Sequence, residues 1–429
     1  MNPEGHTSAE SPAFATVRLF ASTGGQDLAD ELHDLGISAA TLTAQCHMQT
    51  VAKGRVAAES VSHLEQVVAA FPTLVLHVQP GPGDDQTVLL IGPMSDLHAC
   101  AEAIGRLHRP LQELGLEILR QLPWLFPPRY HTLQCSGGSL DFSVKTGIMG
   151  ILNVTPDSFY DGGRYVDPQA AVDRAHQMVA EGADIIDIGG QSSRPGSDPV
   201  PEAEEAQRVL PVVQAVAKAA RTIISVDTYR STIARAALDV GAHLINDISA
   251  LRFDPHLLQL VAERQVPLIL MHMKGLPRTM HLNPTYASVV DEVYGFLQER
   301  LQTAQAGGVA ADRLLVDPGI GFGKGARHNL EILRKLHHFR TLGRPIVIGT
   351  SRKSFIGRIL GTEVHERLEG TAATVAVAIA QGASIIRVHD VQAMARVARM
   401  LDAMLRPNFE ALENGRHGQD ASAPEARPR

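Results

Sequence analysis

Polar residues that could do chemistry stand at the ends of eight short apolar runs between Gly147 and Asp390. The runs are GIMGILN, DIIDIGG, TIISVD, AHLIND, VPLILMH, RLLVDPG, RPIVIG and SIIRVHD. They lead to Asn153, Gln191, Asp227, Asn246, His272, Asp317, Thr350 and His389. Continuous Val, Ile and Leu runs are typical of parallel strands buried on both faces. An acid, amide or imidazole directly after such a strand is held at the edge of a sheet, where a substrate can meet it.

The segments between these runs have helical periodicity, with apolar residues every three to four positions, as in 167–181 and 201–220. Eight alternating strand and helix units predict an α/β fold of the (β/α)8 TIM-barrel class. A doubly wound open sheet is the competing architecture, but the unbroken pattern favours closure. In a barrel the carboxyl ends of all strands meet at one mouth, so the polar residues should converge there.

Positive charge is concentrated after the last two predicted strands. The seventh run continues into the segment 351–354 (SRKS), and the eighth ends with Arg387 and His389. Barrel loops after strands seven and eight frequently hold phosphate, and residues two apart on a strand project to the same face. We therefore expect an anion between these groups. A salt bridge to Asp390 or Asp317 is the alternative.

Asp227, Asn246 and Asp317 each follow aliphatic residues and so project from buried strand ends. A polar group in such a place needs a partner, because leaving it unpaired is costly. The partner could be backbone, a structural arginine or a ligand that offers N–H donors. Three such groups at one mouth fit a flat heterocycle with an amino-amide edge, such as a pterin or purine. The residues alone leave the ligand and structural interpretations open.

Two loops after early strands also carry polar groups. Asn153 begins the first loop, NVTPDSFYDGG, and its amide oxygen could ligate Mg²⁺ together with substrate phosphates. An Asx turn that caps the next helix is the alternative. In the second loop, GGQSSRPG, Arg194 could pair with a phosphate or carboxylate as the loop closes over substrate. Ser and Gly are also ordinary loop residues.

The segment 317–325 (DPGIGFGKG) superficially resembles a phosphate-binding loop. It fails the Walker pattern because Gly325 follows Lys324 where Ser or Thr should hold magnesium, and it does not open a dinucleotide fold. We expect its glycines to let the backbone pass close to a planar ligand, with the ring of Phe322 as one wall. His272 has no second His at metal spacing and is assigned no role.

The chain of 429 residues is long enough for a barrel and a smaller domain. We predict a flexible lead-in at 1–14, a small α+β domain of unassigned role at 15–128, the barrel at 129–406 and a flexible tail at 407–429. Strand-like pieces of the small domain are TVRLF, TLVLHV and QTVLLIG. The hairpin-like HTLQCSGGSLDFSV is predicted to close the bottom of the barrel.

Lys and Arg total 39 against 46 Asp and Glu, so the mild acidity gives no general attraction to nucleic acid or to anionic membrane. Cys46, Cys100 and Cys135 are widely spaced and lack a C-x-x-C pair. This argues against a disulfide framework or a zinc site and favours a reducing compartment, so we expect a cytoplasmic protein. The polar N-terminus lacks the basic stretch and apolar core of a secretory signal. No apolar window of the sequence is long enough to span a bilayer.

Taken together, the chain from about Gly147 to Leu405 resembles the dihydropteroate synthase family. The matching blocks, in the family's order, are GILNVTPDSFYDGG, DIIDIGGQSSRPG, ISVDTY, INDIS, LMHMKG, DPGIGFGK, GTSRKSFIGR and IIRVHDV. The resemblance covers the whole predicted barrel and none of the front domain. It implies condensation of 6-hydroxymethyl-7,8-dihydropterin diphosphate with 4-aminobenzoate, which gives 7,8-dihydropteroate and pyrophosphate in folate biosynthesis.

The resemblance also implies roles for individual residues. The pterin would be held by Asp227, Asn246, Asp317 and Lys353. The diphosphate would be held by Asn153, Arg387 and His389, with Mg²⁺ as the cofactor on Asn153. The aminobenzoate would be bordered by Phe159, Ser193, Pro195, Phe322 and Ser354. Catalysis would involve Asp157, Arg194, Asp227 and Lys353.

The resemblance further implies small-molecule substrates, a homodimer through barrel helices and a target of sulfonamides. Gln191 stands where the family commonly has Glu, Ser193 where Thr is usual and Tyr160 where Ser is frequent, so affinity for aminobenzoate or sulfonamides is left open. Two alternatives remain. A pterin-dependent methyltransferase would have no use for a diphosphate site, and a non-catalytic pterin-binding paralogue would have lost loop or cationic residues.

Overall fold

The protein is described from a computed structural model. The described residues are 17–22, 49–81, 84–107, 109, 111–125, 131–154, 160–161, 165–166, 168–191, 200–276, 278–280 and 282–409. The chain divides into two compact units, Met1–Arg129 and Tyr130–Arg429. The predicted lead-in, nearly all of the predicted tail and the candidate residues Asp157, Phe159, Ser193, Arg194 and Pro195 lie outside the described residues.

The first unit is a small α+β domain, as predicted. Its four-stranded antiparallel sheet has the order β1-β2-β4-β3. The strands are β1 (Arg18–Ser22), β2 (Gln49–Ala57), β3 (Val75–Pro80) and β4 (Asp85–Gly92). The helices of its described part are α1 (Val61–Val68), α2 (Met94–Ile104) and α3 (Leu111–Gln121). The sequence did not reveal β2, because Lys53, Gly54 and Arg55 interrupt its apolar pattern.

The second unit alternates strands and helices from β7 onward, as predicted. Its strands are β5 (Thr132–Cys135), β6 (Gly138–Asp141), β7 (Gly147–Asn153), β8 (Tyr160–Asp161), β9 (Tyr165–Val166), β10 (Ile185–Gly189), β11 (Ile223–Asp227), β12 (Leu244–Asp247), β13 (Leu268–Met271), β14 (Leu314–Asp317), β15 (Val347–Ile348) and β16 (Ile385–Val388). Its helices are α4 (Pro168–Glu181), α5 (Glu202–Ala219), α6 (Ser231–Asp239), α7 (His256–Arg264), α8 (Val289–Ala306), α9 (Ala326–Arg334), α10 (Ser354–Leu360), α11 (Leu368–Ala380) and α12 (Val391–Leu405).

Eight of these strands form a closed parallel barrel. The sheet order is β14-β13-β12-β11-β10-β7-β16-β15, and a parallel bridge between Val316 and Ile346 joins its two ends. The amide of Val316 also donates to the carbonyl oxygen of Pro345 at 3.0 Å. The barrel prediction is therefore confirmed against the open sheet. Closure leaves no free edge and turns one face of every strand toward a shared interior.

The bottom of the barrel is plugged by the β5–β6 hairpin. Leu133 and Leu140 of the hairpin, with Phe142, pack against one apolar residue near the start of each barrel strand. Those residues are Met149, Ile185, Ile223, Leu244, Ile269, Leu315, Val347 and Ile385. The predicted role of the hairpin is confirmed. Since the amino-terminal end is filled, a ligand can enter the barrel only at the carboxyl end.

A buried ion pair ties the end of α12 to the start of β7. Asp402 accepts hydrogen bonds from the backbone N–H of Thr146 at 2.8 Å and from its hydroxyl at 2.7 Å. Arg406 donates to Asp402 at 3.2 Å and to the carbonyl oxygens of Phe142 and Ala383. This cluster joins the last helix to the first strand.

In the part of the chain that the structure describes, no helix combines the length and apolar character needed to cross a bilayer.

We expect Asp402→Ala to lower the free energy of unfolding of the barrel by about 3–5 kcal/mol, because Arg406 would remain buried without its carboxylate. The measurement is urea denaturation of the full chain followed by circular dichroism. Asp239→Ala is the matched control, since Asp239 pairs with Arg264 at 2.7 Å on the surface, where such pairs contribute about 0–1 kcal/mol. Equal losses for the two variants would contradict the assignment.

Candidate active site

The interior of the barrel changes from aliphatic to polar toward the carboxyl ends of the strands. Successive residues of a strand point to opposite faces, so the residue two positions after each bottom-layer residue also points inward. On five strands this second inward position is polar. The five residues are Asp187, Ser225, Asn246, Asp317 and Arg387. Asn153 and Asp227 stand side by side with Gly189 at the tips of β7, β11 and β10.

Arg387 lies at the centre of this polar layer, paired with two carboxylates. Its Nε is 2.6 Å from Oδ2 of Asp187, and its Nη2 is 3.0 Å from Oδ2 of Asp227. Burial alone would lower the pKa of Arg387, but the two carboxylates hold that pKa above its ordinary value. Its Nη1 has no bond to any described residue and remains able to donate to a ligand. The salt-bridge partners considered from the sequence, Asp390 and Asp317, are not its partners.

Asp187 is a central residue that the sequence analysis missed. Its side chain is fully buried, and Oδ2 accepts both from Arg387 and from Nδ2 of Asn246 at 3.1 Å. Oδ1 of Asp187 and Oγ of its neighbour Ser225 are buried without a hydrogen-bond partner among the described residues. Such groups are rare in folded proteins and mark a place where a ligand atom or a water is accommodated.

Asp227 has the most strongly perturbed carboxyl group at the mouth. Burial raises its pKa to about 7, Arg387 opposes the rise, and the negative charge of Asp187 adds to it. A carboxyl with a pKa near neutrality changes charge over the pH range in which enzymes work. Asp227 can therefore switch between accepting and donating a hydrogen bond near pH 7.

Asp317 at the end of β14 and Lys353 after β15 attract each other electrostatically at the mouth. Burial raises the pKa of Asp317. Burial lowers the pKa of Lys353 to about 8, against the attraction of Asp317. The Lys353 ammonium donates to the carbonyl oxygen of Ile320 and lies 4.7 Å from the ring centroid of Phe322. Lys353 thus lies between Asp317 and Phe322, and the roles expected for these residues toward the two substrates stay predictions.

The glycine-rich loop after β14 is held by Lys324. Its buried ammonium lies 2.7 Å from Nδ1 of His272 and donates to the carbonyl oxygens of Gly319 and Phe322. Burial lowers the pKa of Lys324 well below its usual range. His272 is therefore a structural partner, which agrees with the absence of any role assigned to it.

Two glycines of this loop let protein segments approach closely. Gly319 and Gly323 have positive φ angles of 68° and 64°. A Cβ at Gly319 would lie 1.9 Å from the carbonyl oxygen of His272, and one at Gly323 would lie 2.2 Å from that of Lys274. These two positions therefore need glycine because of protein contacts. The close passage of the backbone beside a planar ligand, with Phe322 as one wall, stays a prediction.

An apolar wall lies beside the acidic groups. Phe322, Tyr229 and Phe253 pack on a cluster made of Ile248, Met271, Met273 and Met280. Met271 is the inward residue at the end of β13, next to Asp317 on β14. Apolar and aromatic surface beside a few placed polar groups is the usual composition of a small-molecule pocket.

The expected cluster of cations after β15 and β16 is only partly assembled. Arg352 is paired with Asp390. His389 lies at the end of β16, and its Nδ1 is 3.0 Å from the hydroxyl of Ser351, which also accepts from the His389 amide. Ser354 is exposed at the start of α10. Arg387, His389 and Lys353 are the cationic or ionisable groups that lie near the mouth on these two loops.

Asn153 is half-buried at the tip of β7, beside Gly189. The residues that would form an Asx turn with it lie outside the described part of the chain, so both interpretations of Asn153 stay predictions. Among the described residues, no three His, Cys, Asp or Glu side chains gather as a metal site. Further along the first loop, β8 and β9 pair as a short antiparallel ladder that includes Tyr160.

Comparisons with known proteins agree with this geometry. A family model described as "Pterin binding enzyme" matches residues 149–389. The dihydropteroate synthase of Synechocystis is 44% identical over 292 residues, which cover 68% of this chain and 100% of that protein.

Solved structures give the same result. The dihydropteroate synthase of Yersinia pestis in complex with a sulfonamide drug is 41% identical, with a TM-score of 0.61, and covers 64% of this chain and 98% of its own. That of Xanthomonas albilineans with 4-aminobenzoic acid is 42% identical, with a TM-score of 0.60 and the same coverage. A closed barrel, a polar mouth and these relatives lead to one conclusion: the chain belongs to the pterin-binding enzyme family, among the dihydropteroate synthases.

Proposed function

We propose that the barrel mouth condenses 6-hydroxymethyl-7,8-dihydropterin diphosphate with 4-aminobenzoate, which yields 7,8-dihydropteroate and pyrophosphate for folate synthesis. The observation that carries this proposal is the coupled group of Arg387, Asp187 and Asp227 inside a barrel whose family is shown. The group places hydrogen-bond acceptors for a flat heterocycle next to a guanidinium suited to phosphate.

The pterin is held by Asp227, Asn246, Asp317 and Lys353. The oxygens of the first three accept from ring N–H and amino groups, and the ammonium of Lys353 donates to a ring oxygen or nitrogen. All four groups are fully or partly buried, so their hydrogen bonds act in a medium of low effective dielectric constant. The carboxylate forms of Asp227 and Asp317 accept from such donors, and these hydrogen bonds oppose the rise in pKa that burial gives both groups.

The diphosphate is held by Asn153, Arg387 and His389. Nη1 of Arg387 is free of described partners, and His389 is held beside it at the end of the same strand by its contact with Ser351. Mg²⁺ fits this site through the amide oxygen of Asn153, because magnesium takes few protein ligands and completes its shell with phosphate oxygens and water. When bound, it neutralises charge on the departing diphosphate.

The reaction is a displacement at the methylene carbon attached to the pterin. The bond between that carbon and the diphosphate oxygen breaks, and the neutral amino group of aminobenzoate forms the new C–N bond and then loses a proton. Arg387 and His389 stabilise the negative charge that develops on the leaving pyrophosphate. The carboxylates of Asp227 and Asp317 stabilise positive charge that spreads into the pterin. A strong base is not required, because an arylamine is unprotonated at pH 7.

The aminobenzoate lies against Phe322 and Ser354, at the side of the mouth occupied by Lys353. Phe322 contributes an aromatic face on the apolar wall, and Ser354 an exposed hydroxyl at the start of α10. From the family resemblance we assign the remaining contacts to Phe159, Ser193 and Pro195, with catalytic parts for Asp157 and Arg194. Sulfonamides are expected to compete at this position.

A homodimer is supported by exposed apolar side chains on neighbouring helices. Met400 and Met404 of α12 are 62% and 59% exposed, and Ile359 and Leu360 of α10 are 54% and 52% exposed. Val377 of α11 is also exposed. Apolar groups clustered in this way usually mark a protein interface. We place the enzyme in the cytoplasm, a proposal supported by the unpaired thiols of Cys100 and Cys135.

The full chain with Mg²⁺, the pterin diphosphate and 4-aminobenzoate should release one pyrophosphate for each dihydropteroate formed. Tight pterin binding without turnover would instead favour a non-catalytic paralogue. Methyl transfer from a methylated tetrahydrofolate to a corrinoid protein would favour the methyltransferase alternative.

Arg387→Ala should weaken binding of the pterin diphosphate by about 30-fold or more, because truncating one member of a buried charge pair costs roughly 2–5 kcal/mol. Free pterin should also bind less tightly, since Asp227 loses its counter-charge. Isothermal titration with each ligand measures both effects. Arg352→Ala, which removes a guanidinium from the neighbouring loop, is the control, and similar losses for the two variants would exclude the role given to Arg387.

The pH dependence of kcat/KM for the pterin diphosphate should be bell-shaped. The rate should rise as Asp227 loses its proton around a pKa of about 7 and fall as Lys353 loses its proton around a pKa of about 8. Lys353→Arg should remove the alkaline limb, because arginine keeps its charge. A profile that stays flat between pH 6 and 9 in the parent enzyme would show that neither group titrates during binding.

A further inference from the structure

We infer that Asp187 is a specificity-determining positioning residue, which orients the amide of Asn246 so that its oxygen accepts from the heterocycle and which anchors Arg387. The inference rests on the proposed function, because it concerns the same pterin pocket. Asp187 itself need not touch the substrate.

The chemistry of Asp187 settles the orientation of Asn246. Asn246 Nδ2 lies 3.1 Å from Oδ2 of Asp187, which also receives Nε of Arg387 at 2.6 Å. A carboxylate paired with a guanidinium can only accept hydrogen bonds, so the amide must turn its NH₂ group toward Asp187. One hydrogen of Nδ2 is thereby used.

The other end of the amide is then left for the ligand. Oδ1 of Asn246 makes no hydrogen bond to a described residue, although the side chain is inward and almost fully buried. With Oδ1 fixed as an acceptor, the pocket presents oxygen atoms from Asn246, Asp227 and Asp317. A heterocycle with amino and ring N–H donors satisfies them, whereas one with a carbonyl oxygen in place of an amino group would face another oxygen.

Asp187 also determines which part of Arg387 is available. Asp187 accepts a hydrogen bond from Nε of Arg387, and Asp227 accepts one from Nη2. Nη1 can therefore donate to an anion. Because one carboxylate oxygen holds both Asn246 and Arg387, the positions of the pterin and diphosphate groups are fixed relative to each other. This connection requires Asp187 to be buried, since water would otherwise compete for both donors.

The experiment compares two ligands, 6-hydroxymethyl-7,8-dihydropterin and its analogue with oxygen in place of the 2-amino group. The ratio of their dissociation constants, measured by isothermal titration, reports discrimination independently of any general loss of affinity. We expect Asp187→Asn to reduce the parent enzyme's preference for the pterin by about tenfold, because the amide of Asn246 is then free to turn. An unchanged ratio would overturn the inference.

Asp402→Asn is the matched control, because it neutralises another buried carboxylate that anchors an arginine, at the bottom of the same barrel. It should leave the ratio unchanged, and an equal fall in both variants would assign the effect to general loosening. If the parent enzyme binds neither ligand, the proposed function fails. If it binds both and only the Asp187 result differs from expectation, the inference alone fails.

A second pair of variants keeps the test decisive if Asp187→Asn does not fold. In Asn246→Asp, burial beside Asp187 keeps the new carboxyl protonated, so its O–H replaces Nδ2 as donor to Asp187 and its other oxygen still faces the ligand. This variant should keep the preference for the pterin, whereas Asn246→Ala should lower it by about tenfold. Equal ratios for these two variants would show that the oxygen of residue 246 does not accept from the ligand, and the inference would be wrong.

Discussion

The structure of the mouth depends on the burial of one guanidinium between two carboxylates. Arg387 is too costly to bury alone, and Asp187 and Asp227 are equally costly without it. The three groups therefore form one electrostatic unit, and a change in any of them alters the charge state of the others. Burial raises the pKa of Asp227 to about 7 although a cation lies only 3.0 Å away, and the negative charge of Asp187 adds to the rise.

The closed barrel makes this unit possible. Arg387 is 200 residues from Asp187 and 160 from Asp227 in the chain. Only an interior shared by β10, β11 and β16 brings their side chains together. The plug formed by Leu133, Leu140 and Phe142 removes the other entrance and leaves the polar layer open at one end. The pterin ring and its diphosphate leaving group must then enter from the same side. The acids surround the ring, and the cations surround the diphosphate.

Much of this could be predicted from the sequence. Asn153, Asp227 and Asp317 end apolar runs, and the carboxyl ends of barrel strands are where function gathers. Asp187 was overlooked because it lies inside its run, DIIDIGG, and not at the end. The signal was present, since Asp187 stands two positions after Ile185, an inward position, and an acid within a buried strand needs a partner.

Other features depend on tertiary contacts that no local pattern contains. The partners of Arg387 were sought among acids near the predicted mouth, but the register of β10 and β16 decides which carboxylate it meets. The role of Lys324 follows from the position of His272, 52 residues away. The strand β2 escaped notice because neighbouring strands, and not its own composition, stabilise it.

The most direct test of the central claim is a crystal structure with a non-hydrolysable pterin diphosphate analogue bound. We predict that Arg387 keeps its contact with Asp187 while its remaining nitrogen contacts the phosphate oxygens, with the ring beside Asp227, Asn246 and Asp317. A diphosphate bound away from Arg387, or a ring bound outside the three acceptor residues, would contradict it.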